Sequence, residues 1–215
     1  MKIIKLEGLH DSYLETIEGT NEWFSCYESQ IALCDLYEAE EIISDGKTFP
    51  GLIQHLVHFP DGKVYSPFSL KENVYVEKPV WDKGKLYFLV VDFNQKVAKI
   101  CEYDWAQNVI RGITEVSLNE VKDCYNLRLE VSPLMLGRTD REGFYEIVWP
   151  EKKKIAMDNQ EVVCFRDGDK LYCSRWVEDP EYHEYMVIRD VHTGKILHEE
   201  EGNIWRLADD VYWKI

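Results

Sequence analysis

The chain has 215 residues, 45% apolar and 13% aromatic, with 40 acidic against 25 basic side chains and a formal charge of −15. That length and composition suit a single all-β domain over residues 1–215 with a sizeable core, and they exclude a disordered or low-complexity chain. The acidic surface repels phosphate backbones and anionic lipid heads over a Debye length of about 8–10 Å, so neither nucleic acid nor membrane is an expected partner.

At the N-terminus MKIIKLEGLHDSYLE offers only Ile3-Ile4 before charge returns, which is too little for the apolar core of a signal peptide. No apolar run approaches the ~18 residues of a membrane span. Cys26, Cys34, Cys101, Cys124, Cys164 and Cys173 sit in extended apolar runs without a CxxC pair. They read as reduced core residues, and a cytoplasmic location is expected.

Ile3–Leu6 and Tyr13–Ile17 read as a first, irregular hairpin. WFSCYES from Trp23 and IALCDLY from Ile31 are short strand candidates. The acidic run Glu38–Gly46 predicts one or two helical turns that Gly46 stops. A second hairpin is QHLVHF, the turn Pro60-Asp61-Gly62, and KVYSPF. NVYVEKPVW and KLYFLVVDF then flank the turn Trp81–Gly84. A third hairpin joins VAKICEY to VIRGITEV through Asp104–Asn108. NLRLEVSPLMLGRT supplies two short strands, with Pro133 at a junction or edge because it cannot donate to a ladder. A fourth hairpin joins FYEIVW to KKIAMD. EVVCF and KLYCSRWV lead to the fifth, EYMVIRDVHTGKILHE, which turns at His192-Thr193-Gly194. NIWRLADDVYWKI ends the chain as two strands around Asp209-Asp210.

The turns of hairpins two to five fall near Asp61, Trp105, Glu151 and Thr193, a period of about 44, 46 and 42 residues, as in four-stranded propeller blades. A second mark is an amide two residues before a frequently aromatic side chain: Asn21 and Trp23, Asn73 and Tyr75, Asn126 and Arg128, Gln160 and Val162, Asn203 and Trp205. Five marks predict a five-bladed β-propeller of antiparallel sheets, one blade being closed by the N- and C-terminal strands, which would remove free edges. An irregular β-sandwich is the alternative. On repeat pattern alone the chain resembles small five-bladed β-propellers, the group that includes tachylectin-like lectins and glycosidase propellers.

On that architecture Trp23, Tyr75, Arg128 and Trp205, with Asn21, Asn73, Asn126 and Asn203, converge at one mouth of the axial channel. Flat rings, amides and a guanidinium suit a carbohydrate or another small polar ligand. The alternative is that the rings pack blade on blade and the amides satisfy turn backbone. Glu77 and Glu130 occupy matching places, four residues after Asn73 and Asn126, and are the candidate acid and base of a glycoside hydrolase, which needs carboxyls about 5–10 Å apart. His55 and His58 point to opposite faces of a strand, so no metal is expected. No cofactor signature is present. The reading is of a binding or scaffolding module for a protein or a small polar ligand, with the acidic insertion Glu38–Asp45 as a possible flap.

Overall fold

The computed structural model describes residues 2–9, 13–29, 35–208 and 211–215. The chain divides into two compact units, 1–124 and 125–215, taken here in turn.

In the first unit, β1 (Glu15–Thr16), β2 (Trp23–Ser29), β3 (Leu52–His58) and β4 (Lys63–Tyr65) form one antiparallel meander in chain order. Helix α1 (Leu36–Ser44) lies between β2 and β3. Asp35 caps it through the Glu38 amide, and Glu38 returns a hydrogen bond to the Asp35 amide, so two orphan donors of the first turn are satisfied together. The helix therefore starts earlier than the acidic run suggested. Of the expected strand IALCDLY, Leu36 and Tyr37 are helical, and residues 31–34, with Cys34, lie outside the described residues.

The second sheet follows the order of the first, except that its first position is split. β5 (Val74–Val76) and β6 (Val80–Asp82) both pair with β7 (Lys85–Asp92), which continues to β8 (Val97–Asp104) and β9 (Val109–Ser117). Pro79 has no N–H to donate, so the ladder breaks between β5 and β6, at Glu77–Pro79. Leu56, Leu86, Phe88, Leu89, Val91 and Ile100 are wholly buried. Trp23 joins this core against His58, Tyr65 and Trp105, at ring distances of 4.8, 5.7 and 5.7 Å.

The second unit has two further meanders and a short hairpin. β10 (Arg128–Glu130), β11 (Met135–Thr139), β12 (Phe144–Trp149) and β13 (Lys153–Ala156) make one. β14 (Glu161–Asp167), β15 (Lys170–Val177), β16 (His183–Asp190) and β17 (Ile196–Glu201) make the next. β18 (Ile204–Arg206) and β19 (Tyr212–Lys214) pair only with each other, and their connecting Asp209-Asp210 lies outside the described residues. Met135, Tyr145, Ile147, Leu171, Cys173 and Val187 are among the residues of the core.

The chain is thus an all-β protein with four blade-like antiparallel sheets of consecutive strands, two in each unit. The hairpins at the 42–46-residue period are the third and fourth strands of these sheets. The expected fifth blade is corrected. Residues 2–9 form no strand, and Ile4 and Leu6 lie against Gly62 in the β3–β4 turn. Tyr13–Ile17 contributes only β1, which pairs with β2, while the C-terminal strands form their own sheet.

Burial pushes the thiols of Cys101 and Cys173 up from their ordinary pKa, and neither is in a disulfide. Among the described residues no helix is long and apolar enough to cross a membrane.

Tyr145 poses a packing conflict that can be measured. Its hydroxyl is buried without a hydrogen-bond partner, and burial raises its pKa well above the usual phenol. A Cβ added at Gly137 would strike that hydroxyl and approach its ring carbon Cζ to 2.8 Å. Gly137→Ala should therefore cost about 1–3 kcal/mol of stability by overpacking. Tyr145→Phe should be neutral or stabilising, because it removes an unsatisfied buried group, and should relieve part of the Gly137→Ala loss. Chemical denaturation midpoints of the two single variants and the double variant check this.

Candidate functional site

The amide marks divide by their position in the fold. Asn73, Asn126 and Gln160 have left-handed backbones, with φ of 59°, 52° and 63°. They stand just before β5, β10 and β14, the first strands of three sheets. The Asn73 carbonyl accepts from the Phe93 amide at 3.0 Å, and the Gln160 carbonyl accepts from the Trp176 amide at 3.1 Å, so each closes the ladder between the first two strands. The Asn73 Oδ1 also accepts from the Phe49 amide at 2.9 Å. Asn203 exchanges two backbone hydrogen bonds with Ile215, both 3.0 Å, and donates from Nδ2 to Glu184. Asn21 is exposed and precedes β2, a second strand, so its mark is not equivalent to the others. The surplus mark is Asn203, which precedes a hairpin paired only with itself, and counting it gave one blade too many.

The aromatic and charged candidates occupy different settings. Trp23 is 1% exposed inside its ring cluster and offers no open face. Arg128 donates from Nε to Glu130 at 2.7 Å and from Nη2 to the Val163 carbonyl at 2.6 Å, tying β10 to β14. Glu130 is buried beside it. Trp205 is 57% exposed and stands opposite Trp213, also exposed, in the short C-terminal hairpin. His55 bonds Ser66 at 2.8 Å and His58 bonds Asp61 at 2.9 Å. Among the described residues no group of three or more His, Cys, Asp or Glu is placed to hold a metal. The insertion at Glu38–Asp45 is the capped helix α1, and its Glu40 accepts from the Cys124 amide at 2.8 Å.

Of the candidates, Tyr75 and Glu77 line a pocket of about 180 Å3 within the first unit. One wall is a face of the first sheet. Antiparallel register sets Glu15 opposite Ser25, and Tyr27 opposite Gln54, so these side chains share that face. Tyr13 extends the same wall toward solvent. The other wall is the second sheet's split first strand: Tyr75 from β5, then Glu77 and Lys78 from the segment that Pro79 interrupts. Lys78 Nζ reaches Glu15 Oε2 at 2.6 Å, joining the two walls at the rim.

The inner part of the pocket is polar. Gln54 is 3% exposed and Ser25 1%, yet among the described residues neither the Gln54 amide nor the Ser25 hydroxyl has a hydrogen-bond partner. Both line the open pocket, so the amide and the hydroxyl have hydrogen-bonding capacity for a guest or for ordered water. Sequence reading missed both residues because they come from different strands. The available signal was Gln54 itself, a polar residue at an inward position of the apolar run LIQHLVH.

No protein-family model and no curated protein matches the chain. Among solved structures it is similar to the β-propeller domain of the Trilobed protease from Pyrococcus furiosus, described as having an open velcro topology. That similarity has a TM-score of 0.43 at 15% identity, covers 90% of this chain, and spans 59% of the other.

The blade-entry residues lead to a stability prediction. Asn73→Ala should cost about 1–3 kcal/mol, since a left-handed backbone strains a residue with a Cβ and the bond to Phe49 is lost. Asn73→Gly should cost less, because glycine adopts this φ freely and loses only the side-chain bonds to Phe49 and Asn94. Thermal or urea unfolding of both variants should show that order.

Proposed function

We propose that this chain is a binding module for a small polar ligand, a single carbohydrate ring being the best-fitting class, held in the pocket between the first two sheets. The observation that carries this reading is the Gln54 amide, which lines the pocket beside the Ser25 hydroxyl and has no hydrogen-bond partner among the described residues. An amide and a hydroxyl offer donors and acceptors together, and ring hydroxyls of a sugar offer both in return. Tyr13 and Tyr27 add flat rings at the wall, each with an apolar face for the C–H side of a ring. The volume is below the ~300–1,000 Å3 usual for drug-sized ligands, which favours one ring over an extended chain. The likeness in repeat pattern to lectin propellers points the same way.

Of the residues first expected at a mouth, Tyr75 belongs to this proposal, with Glu77 as a lining carboxylate and not as half of a catalytic pair. The hydrolase reading draws no comparable support: Glu130 is buried and already held by Arg128. Asn21, Arg128, Asn203 and Trp205 are assigned no ligand contact.

Calorimetric titration with a panel of neutral monosaccharides tests the proposal. Binding of at least one sugar is expected, with Gln54→Leu lowering affinity about tenfold or more, since a hydrogen bond left unmade in a buried site costs about 1–3 kcal/mol. Tyr27→Ala should weaken binding less. If no neutral sugar binds, or Gln54→Leu binds as well as the parent, the proposal is wrong.

A further inference from the structure

The charges around this pocket narrow its ligand further, on an argument that rests on the binding function proposed above. Glu15 stands directly across from Ser25, and such cross-strand neighbours have Cβ atoms about 4.5–5.5 Å apart. A carboxylate therefore lies beside the unpartnered hydroxyl on one wall. Its present partner is the Lys78 ammonium, which comes from the opposite wall, 63 positions along the chain. The side chains of Lys78 and Glu15 are 41% and 47% exposed, so water screens the pair and holding both long side chains in one geometry costs entropy. A cation delivered by a ligand can replace the lysine without stranding a buried charge, because the released ammonium returns to solvent.

The ionised groups lining the pocket are two carboxylates, Glu15 and Glu77, and one ammonium, Lys78, in a chain of formal charge −15. An anionic sugar would approach against that field. A neutral sugar would engage Gln54 and Ser25 but leave the Glu15–Lys78 pair untouched. A ring with a hydroxyl and an ammonium on adjacent carbons would use both sets of groups. We propose that the pocket selects an amino sugar, whose ammonium takes the place of Lys78 on Glu15 while its hydroxyls bond Gln54 and Ser25. Lys78 is then a built-in competitor for the ligand's own cation.

The experiment is calorimetric titration of the full chain with glucosamine, glucose and glucuronate, at mildly acidic pH where the amine is protonated. Glucosamine should bind several-fold more tightly than glucose, and glucuronate most weakly. Lys78→Met should tighten glucosamine binding about two- to fivefold, the range of an exposed ion pair, and leave glucose nearly unchanged. Lys85→Met removes the same charge from a lysine paired with Glu102 outside the pocket, and should leave both sugars unchanged. Glu15→Gln should abolish the difference between glucosamine and glucose. If the two sugars bind equally to the parent and Lys78→Met moves neither, the amino-sugar inference is overturned and the binding function stands. An equal gain in Lys85→Met reduces the effect to overall charge and also overturns it. If none of the three sugars binds, the inference falls together with the function on which it rests.

Discussion

Antiparallel register is the constraint on which the rest of this molecule depends. Trp23, Ser25 and Tyr27 share one face of β2 because strand side chains alternate, and pairing sets His58, Leu56 and Gln54 beside them on β3. A slip of one residue would exchange that set for Phe24, Cys26 and Glu28, removing the pocket wall along with the aromatic packing. The Trp23 indole opposes such a slip. It is enclosed by His58 of the same sheet and by Trp105 from the β8–β9 turn, so one side chain fixes both the pairing and the approach of the second sheet. In the fourth sheet a buried ion pair has the corresponding place. Arg189 of β16 reaches across to Glu161 of β14 at 2.7 and 2.6 Å, and to Asp158 at 2.8 Å. Such a pair adds little net stability against an apolar substitute, but a misregistered sheet would leave its charges buried and unmatched.

The same constraint explains how a pocket arises between the first two sheets. The second sheet should carry an unbroken first strand, yet Pro79 cannot donate to β7, and the ladder resumes only at Val80. The Glu77 amide still donates to the Leu89 carbonyl at 2.9 Å, and Lys78 falls in the gap, both side chains lining the pocket. On the facing wall, Gln54 and Ser25 lie beside Tyr27 and the Glu15 carboxylate.

Much of this was legible in the sequence where the signal was local. Asp-Gly and Thr-Gly turns between alternating runs located the paired outer strands, because turn chemistry and strand period act within about ten residues. The capped helix was half visible: the Glu/Ala-rich run was read, but Asp35 as its cap was taken for strand. The blade count was not legible. The Asn-x-aromatic pattern at Asn203–Trp205 looks like that at Asn73–Tyr75, but only strand pairing shows that the latter opens a blade-like sheet and the former a hairpin paired only with itself. Terminal closure also failed, since pairing between distant segments leaves no local trace. For the site, Tyr75 and Glu77 were singled out from their repeat positions, whereas Gln54, Ser25 and Glu15 come together only through the register of three strands.

The central claim, that the unpartnered Gln54 amide is a ligand contact, is tested most directly by a crystal structure of the protein grown with a neutral monosaccharide. The account predicts a sugar ring with a hydroxyl within hydrogen-bond distance of the Gln54 amide and Tyr27 alongside it. Only ordered water at Gln54, with the sugar seated elsewhere, for instance on the exposed Trp205–Trp213 pair, would contradict it.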